Sequence, residues 1–492
     1  MAHLESTSAA PPADPRRWRA LAVLALVQFI IFLDVTIVNV ALPSIQADLG
    51  FTADGLTWVV NGYLLAAGGL LLLGGRLADI VGRRRMFCAG AALFAASSLL
   101  AATAQNQEML IAGRFAQGIA EAIAAPAAMS LVALLFTDPG ERGKAFAIWG
   151  GLAGLGSAAG VLLSGVLTEF ASWRWVFYVN VPLAVIPLLI APKLLSESRM
   201  AGARKPSWIS AILATGGLVA IIQGVLSAAT HPFGSGPVLW PLVGGVAALL
   251  LFLVIQAKSE NPLVPLRFFA NRTRVTGNVS VVFLAGSTAA MFFLVVLYMQ
   301  EVLHYSPLQA GLAWLPFCVV FVPGLTMATK LLPRVGPRGT LAAGLLVAAA
   351  GVLTLTWAPV DGSYWLNLLP AFVLIGFGGG LANPAVQTAA LADVSQEDAG
   401  LGSGVLTTIQ QLGQALGLTA IVAVALTHTA SLVAGGTAAA EATTGGYRLA
   451  FLVSGIVLVV GAALAVVLLP SAKRAGAAQP AASDEVAETA AA

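Results

Sequence analysis

The sequence predicts an all-α polytopic membrane protein with fourteen transmembrane helices. Hydrophobic residues make up 58% of the 492-residue chain and charged residues only 10%. Water-soluble domains carry about 25% charged residues, so ordinary globular packing cannot bury this much apolar surface. The apolar runs extend for about 20 residues, which is the length of one membrane-spanning helix. A transmembrane β-barrel would instead require short segments of alternating polarity.

Fourteen apolar segments of this length follow one another along the chain. They cover approximately residues 20–43, 56–75, 86–104, 109–136, 145–168, 175–195, 208–229, 237–256, 275–299, 310–332, 338–358, 364–391, 401–428 and 449–469. An even number of spans places both termini on the same side of the membrane.

The lysines and arginines support this count and orient the chain. With the N-terminus in the cytosol, all 25 of them except Arg114, Arg174 and Arg448 fall in the N-terminal arm, in or at the edge of the cytosolic loops, or in the C-terminal tail. Short cytosolic loops of membrane proteins are enriched in these two residue types. We therefore expect a multi-pass protein with both termini in the cytoplasm. Arg114 stands out because it lies inside a span.

Two similar stretches indicate an internal duplication. "LADIVGRRR" (77–85) follows the second span and "LLPRVGPRG" (331–339) follows the tenth, so that Gly82 aligns with Gly336. Transporters that work by alternating access are often built from such repeats. The expected organisation is a cytosolic arm at 1–17, a six-helix bundle at 18–198, two additional transmembrane helices at 199–258, a second six-helix bundle at 259–470 and a disordered cytosolic tail at 471–492.

Motifs for nucleotide hydrolysis and metal binding do not occur in the sequence. "GERGKA" (140–145) lacks the spacing of a phosphate-binding loop, and no Ser or Thr follows its lysine. The two cysteines and four histidines are scattered, which indicates neither a disulfide framework nor a metal site. We expect no enzymatic activity, no cofactor and no nucleic-acid partner. An ion gradient is the remaining source of energy.

Three charged residues inside the predicted spans are the candidates for proton coupling. Acidic residues inside a membrane are costly and are usually functional. At about 1.5 Å per residue, Asp34 lies about 21 Å from the cytosolic end of span one. Arg114 and Glu121 share one face of span four and lie about 8 and 18 Å below its outer end. If these spans are neighbours, an acid–base–acid cluster forms near the membrane midplane. A static buried ion pair between two helices is the alternative interpretation.

Span five contains small residues at a spacing of four. Gly156, Gly160 and Ser164 share one face of "GGLAGLGSAAGVLLSG" (150–165), which lets two helix backbones approach closely. Ordinary helix packing explains this spacing as well as a dedicated function does. The aromatic-rich stretch "SWRWVFYVNVP" (172–182) indicates the outer membrane interface.

Six motifs in order carry a resemblance to a known family. They are "LDVTIVNVALP" (33–43), "GRLADIVGRRR" (75–85), "RFAQG" (114–118), "WRWVFYVNVP" (173–182), "YSPLQAGLAWLP" (305–316) and "GLGSGVLTTIQQLGQALG" (400–417). With them the chain resembles the major facilitator superfamily, and specifically its fourteen-span drug:proton antiporters of the EmrB/QacA type. The resemblance covers nearly the whole chain except the termini.

The resemblance implies a role for individual residues. Asp34 matches the first-span acid that is linked to proton exchange, and Arg114 matches the arginine that modulates this acid. The cytoplasmic loop that controls the gate is matched by Gly75, Asp79, Gly82, Arg83 and Arg84. The antiporter motif is matched by Gly156, Gly160 and Gly165. This motif usually has a proline where Val161 stands and a glycine where Ser164 stands. The family pattern has a small residue at Glu121, so the motif implies no role for that side chain.

The expected function is proton-coupled export of amphipathic drugs or antibiotics across the plasma membrane by alternating access. The expected partners are the substrate, protons and the lipid bilayer, and the expected oligomeric state is a monomer. Phe29, Gln117, Phe292 and Trp314 are candidates for the surface of the substrate cavity, although the aromatic residues fit a lipid-facing position equally well. The alternatives are a dedicated exporter or importer of one metabolite and a membrane sensor that keeps the fold without transporting. A passive channel is disfavoured because no ring of intramembrane charges is present.

Overall fold

The computed structural model describes residues 16–136, 138–199, 207–228, 231–259, 262–394 and 399–470. These residues form helices joined by short connections, with no strand among them. The all-helical prediction is therefore confirmed. The predicted N-terminal arm, apart from Arg16 and Arg17, and the predicted tail at 471–492 lie outside the described residues.

The described residues contain fifteen α-helices. In chain order they are α1 (Arg17–Leu49), α2 (Ala53–Val81), α3 (Arg83–Ala102), α4 (Gln107–Leu135), α5 (Pro139–Phe170), α6 (Trp175–Tyr178), α7 (Asn180–Leu194), α8 (Trp208–Ser227), α9 (Gly236–Lys258), α10 (Arg272–Leu297), α11 (Pro307–Ala313), α12 (Leu315–Thr354), α13 (Leu369–Ala390), α14 (Ala399–Ala434) and α15 (Ala439–Leu468). A π-helical turn, Tyr298–Val302, continues α10. Within this part of the chain, thirteen helical segments are long and apolar enough to cross a membrane.

One of these segments contains two of the predicted spans. It runs over 51 residues, from Pro307 to Trp357, and α12 within it is interrupted by a non-helical residue, Gly336 (φ 72°, ψ 178°). Gly82, which aligns with Gly336 in the sequence, joins α2 to α3 and also has a positive φ of 122°. Residues other than glycine rarely adopt this backbone conformation. The matching glycines are what an internal repeat predicts, while the count of fourteen spans remains a prediction.

The helices form two groups. Helices α1 to α7 pack on one another as the N-terminal group, and helices α10 to α15 pack on one another as the C-terminal group. The groups meet where α2 contacts α14 and where α5 contacts α11. The hairpin of α8 and α9 lies beside them, with α8 against both α2 and α14. We call the end of the molecule at which α1 begins the Arg17 end, and the end at which α1 finishes the Leu49 end.

The two ends of α5 have different surroundings. At the Leu49 end, a Cβ atom added to Gly165 would lie 2.9 Å from the carbonyl oxygen of Pro307, in the C-terminal group. At the Arg17 end, a Cβ atom added to Gly150 or Gly154 meets no atom within 4 Å. In this conformation α5 therefore touches the C-terminal group at the Leu49 end and borders open space towards the Arg17 end.

Candidate functional site

Asp34 lies in the middle of α1 with none of its surface exposed. Its Oδ2 atom accepts a hydrogen bond of 2.5 Å from Nη1 of Arg114 in α4. Its Oδ1 atom accepts from Nε2 of Gln117 at 3.1 Å and from Nδ2 of Asn180, in α7, at 2.7 Å. An ionised carboxylate accepts hydrogen bonds at both oxygens. The structure thus places Asp34 inside the N-terminal group, away from lipid, with its charge compensated.

Arg114 is held by contacts from three further directions. Its Nε atom donates to the carbonyl oxygen of Val59 in α2 at 2.7 Å, and its Nη1 atom also donates to Oε1 of Gln117 at 2.8 Å. The guanidinium carbon lies 4.4 Å from the centre of the Tyr63 ring, close enough for a cation–π contact. Gln117 in turn donates to the hydroxyl of Ser98 in α3. A buried charge persists when it is paired and hydrogen-bonded in this way.

Glu121 belongs to a different contact from the Asp34–Arg114 pair. It is 4% exposed, and its Oε1 atom accepts a hydrogen bond of 3.0 Å from Nε2 of Gln411 in α14. Its Oε2 atom has no hydrogen-bond partner among the described residues. The partners of Asp34 all lie in the N-terminal group, whereas Glu121 reaches across to the C-terminal group.

Two acidic residues contact the predicted gate loop at the Arg17 end. Asp79 forms an ion pair of 2.9 Å with Arg83 across the junction of α2 and α3. Glu197, which follows α7, accepts a hydrogen bond of 3.1 Å from the backbone N–H of Arg84, and its Oε2 atom lies 3.7 Å from the Arg84 side chain. Gly75 lies inside α2 with ordinary contact distances around it. The loop is therefore connected to α7 as well as to its own helices.

Gly82 leaves no room for a side chain between the gate loop and Glu197. A Cβ atom at this position would lie 2.5 Å from the Glu197 carboxylate, and the φ of 122° is itself unfavourable for other residues. Glu197 is separated from the loop by more than a hundred residues in sequence, so the loop motif alone does not indicate this partner.

The three glycines of the antiporter motif serve two interfaces. A Cβ atom at Gly156 would lie 2.9 Å from the carbonyl oxygen of Phe29, and one at Gly160 would lie 2.7 Å from that of Leu33. Both glycines therefore let α5 pack directly on the segment of α1 that carries Asp34. Gly165 faces α11 in the C-terminal group instead. Close backbone approach at small residues is the usual way in which membrane helices pack.

Replacing Gly160 by alanine is expected to lower the stability of the purified protein by about 1–3 kcal/mol, as overpacked cores do. The added methyl group would lie 2.1 Å from Oγ1 of Thr36, so α1 and α5 must move apart. Gly154→Ala is the matched control, because this position on the same helix faces open space. Unfolding midpoints in detergent, compared for the two variants, test the expectation; equal midpoints would contradict it.

The predicted cavity residues differ in exposure. Phe29 and Phe292 are half-buried, and the Phe292 ring stacks on Trp314 with ring centroids 4.1 Å apart. Trp314 and Gln117 are wholly buried, so neither of them lines an open cavity in this conformation. Their assignment to the substrate cavity stays a prediction.

Several polar residues of the site were not singled out by the sequence analysis. Asn180, Ser98, Tyr63 and Gln411 each contact a charged or polar member of the cluster. The sequence indicates them only weakly. Each is a polar side chain within an apolar run, where a polar group without a hydrogen-bond partner is costly. Asn180 lies within the aromatic stretch that indicated only the membrane interface.

Asn180→Ala is expected to reduce pH-gradient-driven transport by about tenfold while the protein stays folded. The substitution removes one of the three donors to Asp34, and a hydrogen bond to a charged group is worth about 1.5–3 kcal/mol. Initial rates in proteoliposomes test this, with Asn39→Ala as the control, since Asn39 in α1 donates only to the Val35 carbonyl oxygen. Wild-type rates in Asn180→Ala would show that α7 does not support Asp34.

The fold and the buried charge cluster together define a polytopic membrane transporter. The chain belongs to the Major Facilitator Superfamily, whose model matches residues 24–418. It is therefore a transporter of small molecules rather than an enzyme, and the family predicted from the motifs is confirmed. Among the described residues, no group of His, Cys, Asp and Glu side chains is arranged to hold a metal ion.

Antibiotic resistance and export proteins are among the relatives. The puromycin resistance protein pur8 of Streptomyces alboniger is 40% identical over 477 residues, which cover 95% of this chain and 94% of the relative. The cephamycin export protein CmcT of Amycolatopsis lactamdurans is 38% identical, covering 85% and 86%. The lincomycin resistance protein of Streptomyces lincolnensis is 36% identical, covering 83% and 84%.

Solved structures with the same fold include two transporters. A peptide transporter POT in complex with sulfate has a TM-score of 0.65 at 18% sequence identity and covers 92% of this chain and 96% of its own. A bacterial homologue of the human lysosomal transporter Spinster has a TM-score of 0.62 at 18% identity, covering 93% and 97%. At this level of identity the likeness shows the fold alone.

Proposed function

We propose that this protein exports amphipathic drugs or antibiotics from the cell in exchange for protons, by alternating access. The proposal of proton coupling rests on the buried Asp34–Arg114 pair, because an acid inside the membrane is the group that a proton gradient can act upon. The relatives that are named for puromycin resistance, lincomycin resistance and cephamycin export support an antibiotic as the cargo. The proton gradient supplies the energy, and no cofactor is required.

Protonation of Asp34 changes the forces between three helices. A neutral carboxylic acid loses its Coulombic attraction to Arg114, and its new O–H group is a donor where three donors already converge. At least one of the contacts to α4 or α7 must then rearrange. In the proposed mechanism this rearrangement transmits proton binding from α1 to the rest of the N-terminal group.

Glu121 is proposed as the second proton-coupled acid. Its hydrogen bond to Gln411 joins the two groups, so rocking of one group against the other breaks or forms this bond. A carboxylate that loses this partner inside an apolar environment favours uptake of a proton. Glu121 thereby makes proton binding depend on how the two groups are arranged.

The proposed topology is a plasma-membrane monomer of the fourteen-span EmrB/QacA type, with the chain reversing direction at Gly336. Both termini lie in the cytoplasm, so the Arg17 end is cytosolic and the Leu49 end faces outwards. Two six-helix bundles at 18–198 and 259–470 flank the pair of helices at 199–258. With this orientation, the contact of α5 with α11 closes the outer side.

Reconstitution of the full chain into liposomes with an imposed pH gradient tests the proposed function. Puromycin, lincomycin, a cephamycin and ethidium are offered in turn, and substrate flux is measured together with internal pH. We expect more than one compound to move in the direction opposite to the downhill movement of protons. Flux of one compound alone indicates a dedicated exporter. Movement of substrate in the same direction as the protons indicates an importer. Flux that ignores the pH gradient contradicts proton coupling, and no flux at all favours a non-transporting sensor.

A further inference from the structure

A cavity of about 170 Å³ lies at the Leu49 end, remote from the Asp34 cluster. Gln46 of α1 and Ala53 at the start of α2 form one side of it, and residues of α10, α14 and α15 form the other. We call this cavity the outer vestibule. Because its walls come from both groups of helices, its shape depends on how the groups meet at this end.

Glu301 supplies the charge of the outer vestibule. It lies in the π-helical turn Tyr298–Val302, and π-helical turns are frequent at functional sites. Its Oε2 atom accepts a hydrogen bond of 2.9 Å from the hydroxyl of Tyr447. None of the ion pairs between described residues includes Glu301. Arg448, the neighbour of Tyr447, donates from its Nε atom to the carbonyl oxygen of Ala358 instead.

The chemistry of the walls selects one class of ligand. Apolar side chains, among them Phe293, Leu297 and Val422, make up most of the lining. A metal cation requires several oxygen ligands at once, whereas the vestibule offers one carboxylate. An organic ammonium ion places its charge on Glu301 and its apolar body on these walls. Two of the lining residues, Phe293 and Tyr447, are aromatic, and aromatic rings attract organic cations.

We propose that the outer vestibule binds organic ammonium groups, with Glu301 as the counter-ion. Resting on the proposed orientation and direction of transport, this places an amine-recognition site on the path by which a substrate leaves. The cavity is smaller than the roughly 300–1,000 Å³ of a site for a whole drug molecule. It therefore receives the amine-bearing part of a substrate, or a small organic cation from outside the cell.

Binding of benzyltrimethylammonium to the purified full chain tests the site. The chain is embedded in phosphatidylglycerol nanodiscs, so that no lipid amine competes, and the dissociation constant is measured by calorimetry. Glu301→Gln is expected to weaken binding about tenfold, which corresponds to the loss of one close charge pair. Glu441→Gln is the matched control and is expected to bind as the wild type does, because Glu441 is exposed in the first turn of α15 and does not line the vestibule.

Two further variants test whether the probe is bound by the carboxylate of Glu301 rather than through its hydrogen bond to Tyr447 or at the Asp34 cluster. Tyr447→Phe removes the hydrogen bond but keeps the charge, so binding within about threefold of the wild type is expected if the carboxylate is the counter-ion. Asp34→Asn is expected to bind the probe normally even where transport is lost, which keeps this test independent of the proposed function. Unchanged binding by Glu301→Gln, or loss of binding in Asp34→Asn instead, would overturn the proposal. Unfolding midpoints show whether each variant is folded.

Discussion

Replacing Asp34 by asparagine is expected to reduce pH-gradient-driven transport to the level of empty liposomes. Asparagine has nearly the same shape, and its one carbonyl oxygen still accepts a hydrogen bond, so the fold is expected to persist. It carries no exchangeable charge, however, and its NH₂ group faces a region that already holds three donors. Substrate flux and proton movement, measured together in proteoliposomes, should therefore both be lost.

A second carboxylate serves as the control for this experiment. Glu108 lies exposed in the first turn of α4, on the same helix as Arg114, so Glu108→Gln changes the same chemical group outside the cluster. Its flux is expected to equal that of the wild type. Drug binding without a gradient should be retained in Asp34→Asn, which separates loss of coupling from loss of the site. Gradient-driven flux at the wild-type rate in Asp34→Asn would refute the role of this acid.

The charged cluster was largely predictable because charge inside a span is rare and costly. Hydropathy located the spans of Asp34 and Arg114, and the helical rise placed them at similar depths. The structure brings these two residues into an ion pair, as their depth suggested. The same reasoning did not connect Asp34 with Asn180, since the depth of a residue does not tell which helix lies beside it.

Other parts of the arrangement depend on packing that no local pattern records. Glu197 and Gln411 contact residues more than a hundred positions away in the chain. Trp314 is buried in this conformation and stacks on the Phe292 ring, a contact that the sequence does not indicate. The boundary between the predicted spans 310–332 and 338–358 falls inside α12, where the non-helical Gly336 separates two helical parts. The sequence alone predicted that these helices exist. It did not predict which helices are neighbours or how their side chains are oriented.

Arg114→Met is expected to lower the free energy of unfolding by about 3–5 kcal/mol, the usual result of removing one partner of a buried ion pair. Methionine fills similar volume but leaves the charge of Asp34 buried and uncompensated, and the Val59 carbonyl oxygen loses its side-chain donor. Arg114→Lys keeps the charge, but a single ammonium cannot reproduce two separate donor nitrogens, Nη1 towards Asp34 and Gln117 and Nε towards the Val59 carbonyl oxygen. Its loss of stability is expected to be intermediate. Denaturation of the purified variants in detergent measures both effects.

The double variant Asp34→Asn/Arg114→Met decides whether the two residues act as a pair. If Arg114→Met destabilises the protein because it leaves the charge of Asp34 uncompensated, then neutralising Asp34 should restore most of the lost stability. The effects of the two single variants should then not add. Additive losses would mean that Arg114 stabilises the fold through its contacts with Val59, Gln117 and Tyr63 rather than through Asp34. Transport separates the alternatives further, because a repaired fold without the acid should still fail to use a pH gradient. A static structural pair, by contrast, would regain transport together with stability.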